Sequence, residues 1–217
     1  MSTHSQQYRG QLNVQMKAGT RMAYRSGDNF TVLTVCTGNI CRSPAVEHLF
    51  RAAFGRNSGV DVASAGTGAL IGQPVHGPMA DLLRGVDVDP DGFAARRVTE
   101  QMLRGADLVL PLTRDHRAQV VDLAPAVVRR TFTLREFARL ASEVDRDELE
   151  ARAGGAAATS ASRLDALIPL AAARRSAVAP ELDDVVDPYR REQSVYQKSF
   201  DQLLPAVRTI AQIALRL

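Results

Sequence analysis

Residues 30–47, FTVLTVCTGNICRSPAVE, constrain the fold more than any other stretch of the chain. Phe30 to Val35 is an apolar, β-branched run that reads as a short buried strand. A turn-like loop follows from Cys36 to Arg42, with Gly38 and Asn39 at its centre. Ser43 is then a good N-cap, and Pro44 suits the first helical position because the N–H it lacks would be unpaired there anyway. The helix this predicts is rich in Ala, Leu and Phe and runs to about Phe54. A strand, a tight loop and a helix N-terminus together make an anion site, where backbone N–H groups converge and the helix dipole favours negative charge.

Two residues make a reaction centre of that cradle. Cys36 stands at the strand end, and a thiol among N–H donors beside an arginine is favoured as its thiolate. Arg42 stands where loop meets helix, and its guanidinium can grip two phosphate oxygens as phosphorus is attacked. Cys-x5-Arg at a strand–loop–helix junction therefore reads as covalent catalysis on a phosphate ester.

Further along, Val60 to Ala65 predicts a second strand ending in SAGTG, and Pro74 to Gly85 a helix with Met79, Leu82 and Leu83 on one side. Residues 98–105 read as a short helix and Ala106 to Leu112 as a third strand, with Thr113 capping a helix to about Leu123. Val127 to Leu134 reads as a fourth strand nearer an edge. Strands alternating with helices imply right-handed βαβ units and a parallel sheet, with ligands beyond the strands' carboxyl ends. Residues 141–182 break that rhythm as a helical and linker-like insertion. It reads either as a surface element packing a satellite cluster or as a lid or docking element. After it comes DDVVDPYRRE. Pro188 restricts Asp187 to an extended backbone, which fixes where its carboxyl points, and a carboxylic acid within reach would protonate a departing alkoxide or phenoxide. Asp183 and Asp184 read as solvated loop charges. From Arg191 the chain is helical, with Pro205 expected to kink or split it.

The chain's 217 residues are enough for one domain with a sizeable core. No stretch approaches a membrane span and no signal-peptide core is visible, so a cytoplasmic protein is expected, with no membrane partner. The two cysteines, both in the loop, are no extracellular disulfide framework. The net charge is +3, and apart from Lys17 and Lys198 the basic residues are Arg. No basic stripe with interleaved aromatics appears, so no nucleic-acid partner is expected. Residues 1–28 are polar without a period and read as a flexible N-terminal extension preceding a domain over 29–217.

The string CTGNICRSP closely resembles the signature loop of the low-molecular-weight protein tyrosine phosphatases, and DPY at 187–189 matches the acid motif of the same family. The resemblance covers roughly residues 30–140 and 183–217. It implies a three-layer α/β fold, a four-stranded parallel sheet flanked by helices on both faces, with the helical insertion placed before the acid loop. It also implies a two-step reaction through a phosphocysteine on Cys36. Arg42 and the loop of Thr37, Gly38, Asn39, Ile40 and Cys41 would hold the phosphoryl oxygens, and Asp187 would protonate the leaving phenol and then help activate water. Ser43 would hydrogen-bond the thiolate, Asn39 would hold the loop in its strained shape, and Tyr189 would wall the cleft. Cys41 would trap an oxidised Cys36 as a disulfide, or else simply fill space. The expected partners are a phosphotyrosine protein or small phosphate ester and inorganic phosphate. No metal or cofactor is expected, and the chain is expected to be a monomer or weak dimer.

Some positions depart from the family pattern. Gly68, Ala69, Leu70 and Ile71 stand where relatives often have an aromatic cleft residue. Phe93 stands where relatives often carry a histidine of a supporting polar network. His116 reads as structural. Other uses of the scaffold are arsenate reduction, protein-arginine dephosphorylation and phosphopeptide binding without catalysis. No cysteine follows Cys41 for a thioredoxin-coupled reductase, which leaves open a mycothiol-type reductase with a single nucleophile, although the GNICRSP string favours a phosphatase. Arginine phosphatases typically carry threonine where Ile40 stands, and a pure binding module would have no need of Cys36, Arg42 and Asp187 together.

Overall fold

A computed structural model of the protein describes residues 29–176 and 178–217, so the expected extension over 1–28 lies outside the described residues. The chain runs β1 (Phe30–Cys36), α1 (Arg42–Phe54), β2 (Val60–Gly66), α2 (Gly77–Arg84), α3 (Glu100–Gly105), β3 (Leu108–Pro111) and α4 (Arg114–Leu123). After a 3-10 turn at Pro125–Arg130 come α5 (Leu134–Ser142), α6 (Arg146–Ala153), α7 (Ser160–Ala173), α8 (Pro180–Asp183) and α9 (Gln193–Leu215).

The sheet is parallel, with β1 between β2 and β3. Its strands are apolar on both faces, as a sheet covered on both sides requires. Phe30 and Val32 of β1 join Val60, Val62, Leu108 and Leu110 in a core shared with α1, α2, α5, α7 and α9. The alternate residues Leu33 and Val35 join Ala63, Ala65 and Val109 against α3 and α4. Thr113, at the end of β3, caps α4 by accepting from the His116 N–H, and Thr133 caps α5 in a reciprocal pair with Glu136.

Among the described residues the sheet has three strands, not the four expected. The apolar run after Pro125 is a 3-10 turn, because proline starts a helical segment readily and has no N–H to give a ladder. Thr133 already caps the next helix. Only Thr131 and Phe132 are left between, and they make a single parallel bridge to Val109. Helix α5, packed between the sheet and α9, went unread behind that strand.

Residues 141–182 hold helices α6 and α7 where helical stretches were expected, and Leu149, Leu164, Leu167 and Leu170 belong to the main core, not to a satellite. Helix α9 is continuous through Pro205, whose side is exposed, and is not split there. No helix among the described residues is long and apolar enough to cross a membrane.

Candidate active site

Cys36 closes β1 at the sheet's centre, and the next five residues turn back into α1. The loop's shape follows from its carbonyls. Those of Cys36, Thr37 and Gly38 accept from Thr67, Gly68 and Leu70, that of Ile40 from His76, and that of Cys41 from Ala45. In a trans peptide the next residue's N–H points opposite to the carbonyl. The N–H groups of Thr37, Gly38, Asn39, Cys41 and Arg42 are thereby turned to the loop's inner side. The segment after β2 packs tightly enough that a Cβ on Gly66 would meet the Thr37 carbonyl oxygen, so only glycine fits there.

Asn39 takes a left-handed conformation, φ 54°, uncommon outside glycine. Its side chain holds it there. Nδ2 donates to Ser43 Oγ at 3.0 Å and to Ser64 Oγ at 2.8 Å, while Oδ1 accepts from the Arg96 N–H at 2.9 Å. Ser64 in turn donates to Glu47 at 2.5 Å, and Glu47 pairs with Arg51 at 2.6 Å. Burial raises the Glu47 carboxyl above its ordinary range, with Arg51 opposing. Phe93 does not interrupt this support, because Arg96 supplies a backbone donor to Asn39 and Nε to the Ser64 carbonyl at 2.8 Å.

Ser43 does not cap the helix as expected. Helix α1 begins at Arg42 without a side-chain cap. With Asn39 donating to its oxygen, Ser43 Oγ lies 3.0 Å from Cys36 Sγ and is placed to donate to a thiolate. Thr37 Oγ1 meets His116 Nε2 at 2.9 Å, and His116 Nδ1 meets Thr113 Oγ1 at 2.9 Å. Burial, with the Arg42 charge added, pulls His116 down to about 4, which keeps it neutral between the two hydroxyls. Cys41 is pushed up to about 12 by burial and the nearby Cys36, so it is a thiol at neutral pH. It touches Tyr196, whose hydroxyl bonds His76 Nδ1 at 2.9 Å. Both cysteines are free.

Arg42 is 4% exposed. Nη1 donates to the Val185 carbonyl at 3.2 Å, Nη2 meets Asp187 Oδ2 at 2.8 Å, and Nε is buried with no partner among the described residues. Asp187 Oδ1 accepts from the Tyr189 N–H at 3.1 Å, a turn that aims the carboxylate. Asp187 is thus brought onto Arg42 in the folded protein. Tyr189 stands against His76, ring centroids 5.6 Å apart. Tyr189, Ile40, Leu70 and His76 line a cavity of about 350 Å³ beside the loop, which neither Cys36 nor Arg42 lines.

Asp183 is buried and Asp184 half-buried, and both are tied to the fold rather than free loop charges. Asp183 is 5% exposed and paired with Arg114 at 2.7 Å and Arg139 at 3.3 Å, and Asp184 accepts from the Arg114 N–H at 2.8 Å. The sequence reading assigned no role to Glu47, Ser64 or Arg96 around the loop, and gave Thr113 only its helix cap. The Glu47–Arg51 spacing of one helical turn was a readable signal for one of these pairs. Among the described residues no group of three or more His, Cys, Asp or Glu is placed to hold a metal ion.

A family model described as low molecular weight phosphotyrosine protein phosphatase matches residues 31–158, more than half of the chain. The low molecular weight protein-tyrosine-phosphatase Etp of Escherichia coli K12 is 43% identical over 101 residues, which are 46% of this chain and 66% of that one. The match thus spans slightly less than two thirds of that relative. The structure of a low molecular weight protein tyrosine phosphatase from T. tengcongensis shares 26% identity at a TM-score of 0.58, covering 83% of this chain and 97% of that one. The YwlE arginine phosphatase from Geobacillus stearothermophilus, at 22% identity, covers 84% of this chain and 91% of its own with a TM-score of 0.60, a likeness of fold.

Proposed function

The chain belongs to the low molecular weight phosphotyrosine protein phosphatase family, and on that premise we propose that it hydrolyses phosphotyrosine in proteins through a phosphocysteine on Cys36. The observation that carries the reading is the surroundings of Arg42. Its buried guanidinium holds a carboxylate at 2.8 Å beside the loop's inward N–H groups and keeps one Nε donor unpartnered. That is a donor set for a group bearing several anionic oxygens.

In the first step the Cys36 thiolate attacks phosphorus. An S–P bond forms, the P–O bond to the phenol breaks, and the proton on Asp187 passes to the leaving oxygen. Before this Asp187 must leave Arg42 and take up a proton from solvent, and the phosphoryl oxygens take the guanidinium in its place. Arg42 and the N–H groups of Thr37, Gly38, Asn39, Cys41 and Arg42 hold the charge that develops on those oxygens. Ser43 donates to Cys36 and stabilises sulfur both as nucleophile and as leaving group. In the second step Asp187 takes a proton from water, the oxygen attacks phosphorus, the S–P bond breaks, and phosphate and the thiolate are released.

Ile40 and Tyr189 favour an aryl ester, because they give the neighbouring cavity an apolar wall and an aromatic one. Dephosphorylation of arginine is the second reading, on the fold likeness alone. The test is release of phosphate from phosphotyrosine and phosphoarginine peptides in the presence of EDTA, by the wild type and Cys36→Ser. Cys36-dependent turnover that prefers phosphotyrosine supports the proposal. A preference for phosphoarginine, or turnover that survives Cys36→Ser, overturns it.

A further inference from the structure

We infer that Asp183 is a positioning residue for Asp187, clamped by arginines so that the acid loop and the phosphate loop are set from one place in the fold. The inference rests on the phosphatase reading above and concerns a residue four positions before the acid.

Asp183 Oδ2 accepts from Arg114 Nη2 at 2.7 Å and Nε at 3.1 Å, and Oδ1 accepts from Arg139 Nη2 at 3.3 Å. Its carbonyl accepts from Thr133 Oγ1 at 2.9 Å. A carboxylate this buried is tolerated only with such partners, so the pairing fixes its place. The next residues continue the attachment. Asp184 takes the Arg114 N–H at the start of α4, and Arg135 Nη1 bonds the Asp184 carbonyl at 2.8 Å. The Val185 N–H bonds the Leu112 carbonyl at 2.9 Å and its own carbonyl meets Arg42. The backbone therefore reaches Asp187 with little freedom left.

The other end of the clamp is what gives it a catalytic consequence. Arg114 opens the same helical turn that carries His116, and His116 holds Thr37 in the phosphate loop. One turn of α4 thus touches both halves of the site. Ordering a general acid relative to a nucleophile is worth large factors in rate, and small displacements lose them.

Of the two proton transfers that pass through Asp187, only protonation of the leaving group depends on the ester, so in kcat/KM, which reports the first step, the role has a signature that general destabilisation lacks. Phenyl phosphate and p-nitrophenyl phosphate would be assayed with Asp183→Asn, Asp187→Ala and the double variant, each checked as folded by thermal melting, and inorganic phosphate would be used as inhibitor. Asp183→Asn is expected to lower kcat/KM for phenyl phosphate by about tenfold or more and for p-nitrophenyl phosphate by less than about threefold, with phosphate inhibition no weaker than in the wild type. In the Asp187→Ala background it should add no further loss, the mark of two residues acting as one unit. Equal slowing of both esters, or a full additional loss in the double variant, overturns the inference. Neither result bears on Cys36 chemistry, which Cys36→Ser tests separately. If Asp183→Asn does not fold, Arg139→Gln removes one arm of the clamp and is read by the same criteria.

Discussion

The Asp187 carboxylate rests on the Arg42 guanidinium, Oδ2 to Nη2 2.8 Å, and so occupies a donor that a phosphate ester would use. The proposed acid and the arginine proposed to bind phosphate thus hold each other in the folded protein. Asp187 is 55% exposed along its side chain, so the pair is screened and its contribution small.

That contact predicts opposite effects on binding and turnover. Asp187→Asn removes the competing charge and should tighten inhibition by inorganic phosphate by about two- to fivefold, the equivalent of an exposed ion pair. The same variant should slow phenyl phosphate by about a hundredfold, the usual worth of a general acid, and p-nitrophenyl phosphate much less. Inhibition constants and kcat/KM for the two esters check both. Weaker phosphate inhibition would mean that the contact does not compete with the ligand.

Ser43 sits between Asn39 and Cys36, with Oγ 3.0 Å from each partner atom. Ser43→Ala removes a hydrogen bond to a charged sulfur and should lower kcat by about ten- to a hundredfold. KM should change little, since the arginine and loop amides are untouched. Steady-state kinetics with p-nitrophenyl phosphate measures the split.

Acid should weaken the fold through His116. Buried, it binds a proton only at about 4, while the unfolded chain binds one near 6.5. Between those values the unfolded state holds more protons, so stability rises with pH through the window and falls as pH is lowered. From pH 7.5 to 5.0 the loss from this one residue is about 2 kcal/mol. His48, held down to about 4 by burial, adds in the same direction. Denaturation at the two pH values should show His116→Gln less sensitive to acid than the wild type.

The loop that carries Cys36 and Arg42, and the aspartate proposed as the acid, stood out in the sequence because each motif is short and its geometry local. Cys36 and Arg42 lie on one strand–loop–helix turn, and Pro188 sets the backbone at Asp187. Asp183 was misread for the opposite reason. Its charge partners, Arg114 and Arg139, are distant in sequence, and no local pattern announces them. The fourth strand failed on a local conflict. Val127, Val128 and Phe132 have strand-like side chains, but Pro125 begins a helical turn before them and Thr133 caps a helix just after. The insertion's leucines have helical spacing, yet spacing alone does not say which core they enter.

The most direct test of the account is acid quenching of the enzyme during turnover of a phosphotyrosine peptide, followed by mass spectrometry of its own peptides. The account predicts one phosphoryl group, carried on Cys36 and absent from Cys36→Ser. Steady turnover with no phosphorylated Cys36, or with the phosphoryl group on another side chain, would contradict it.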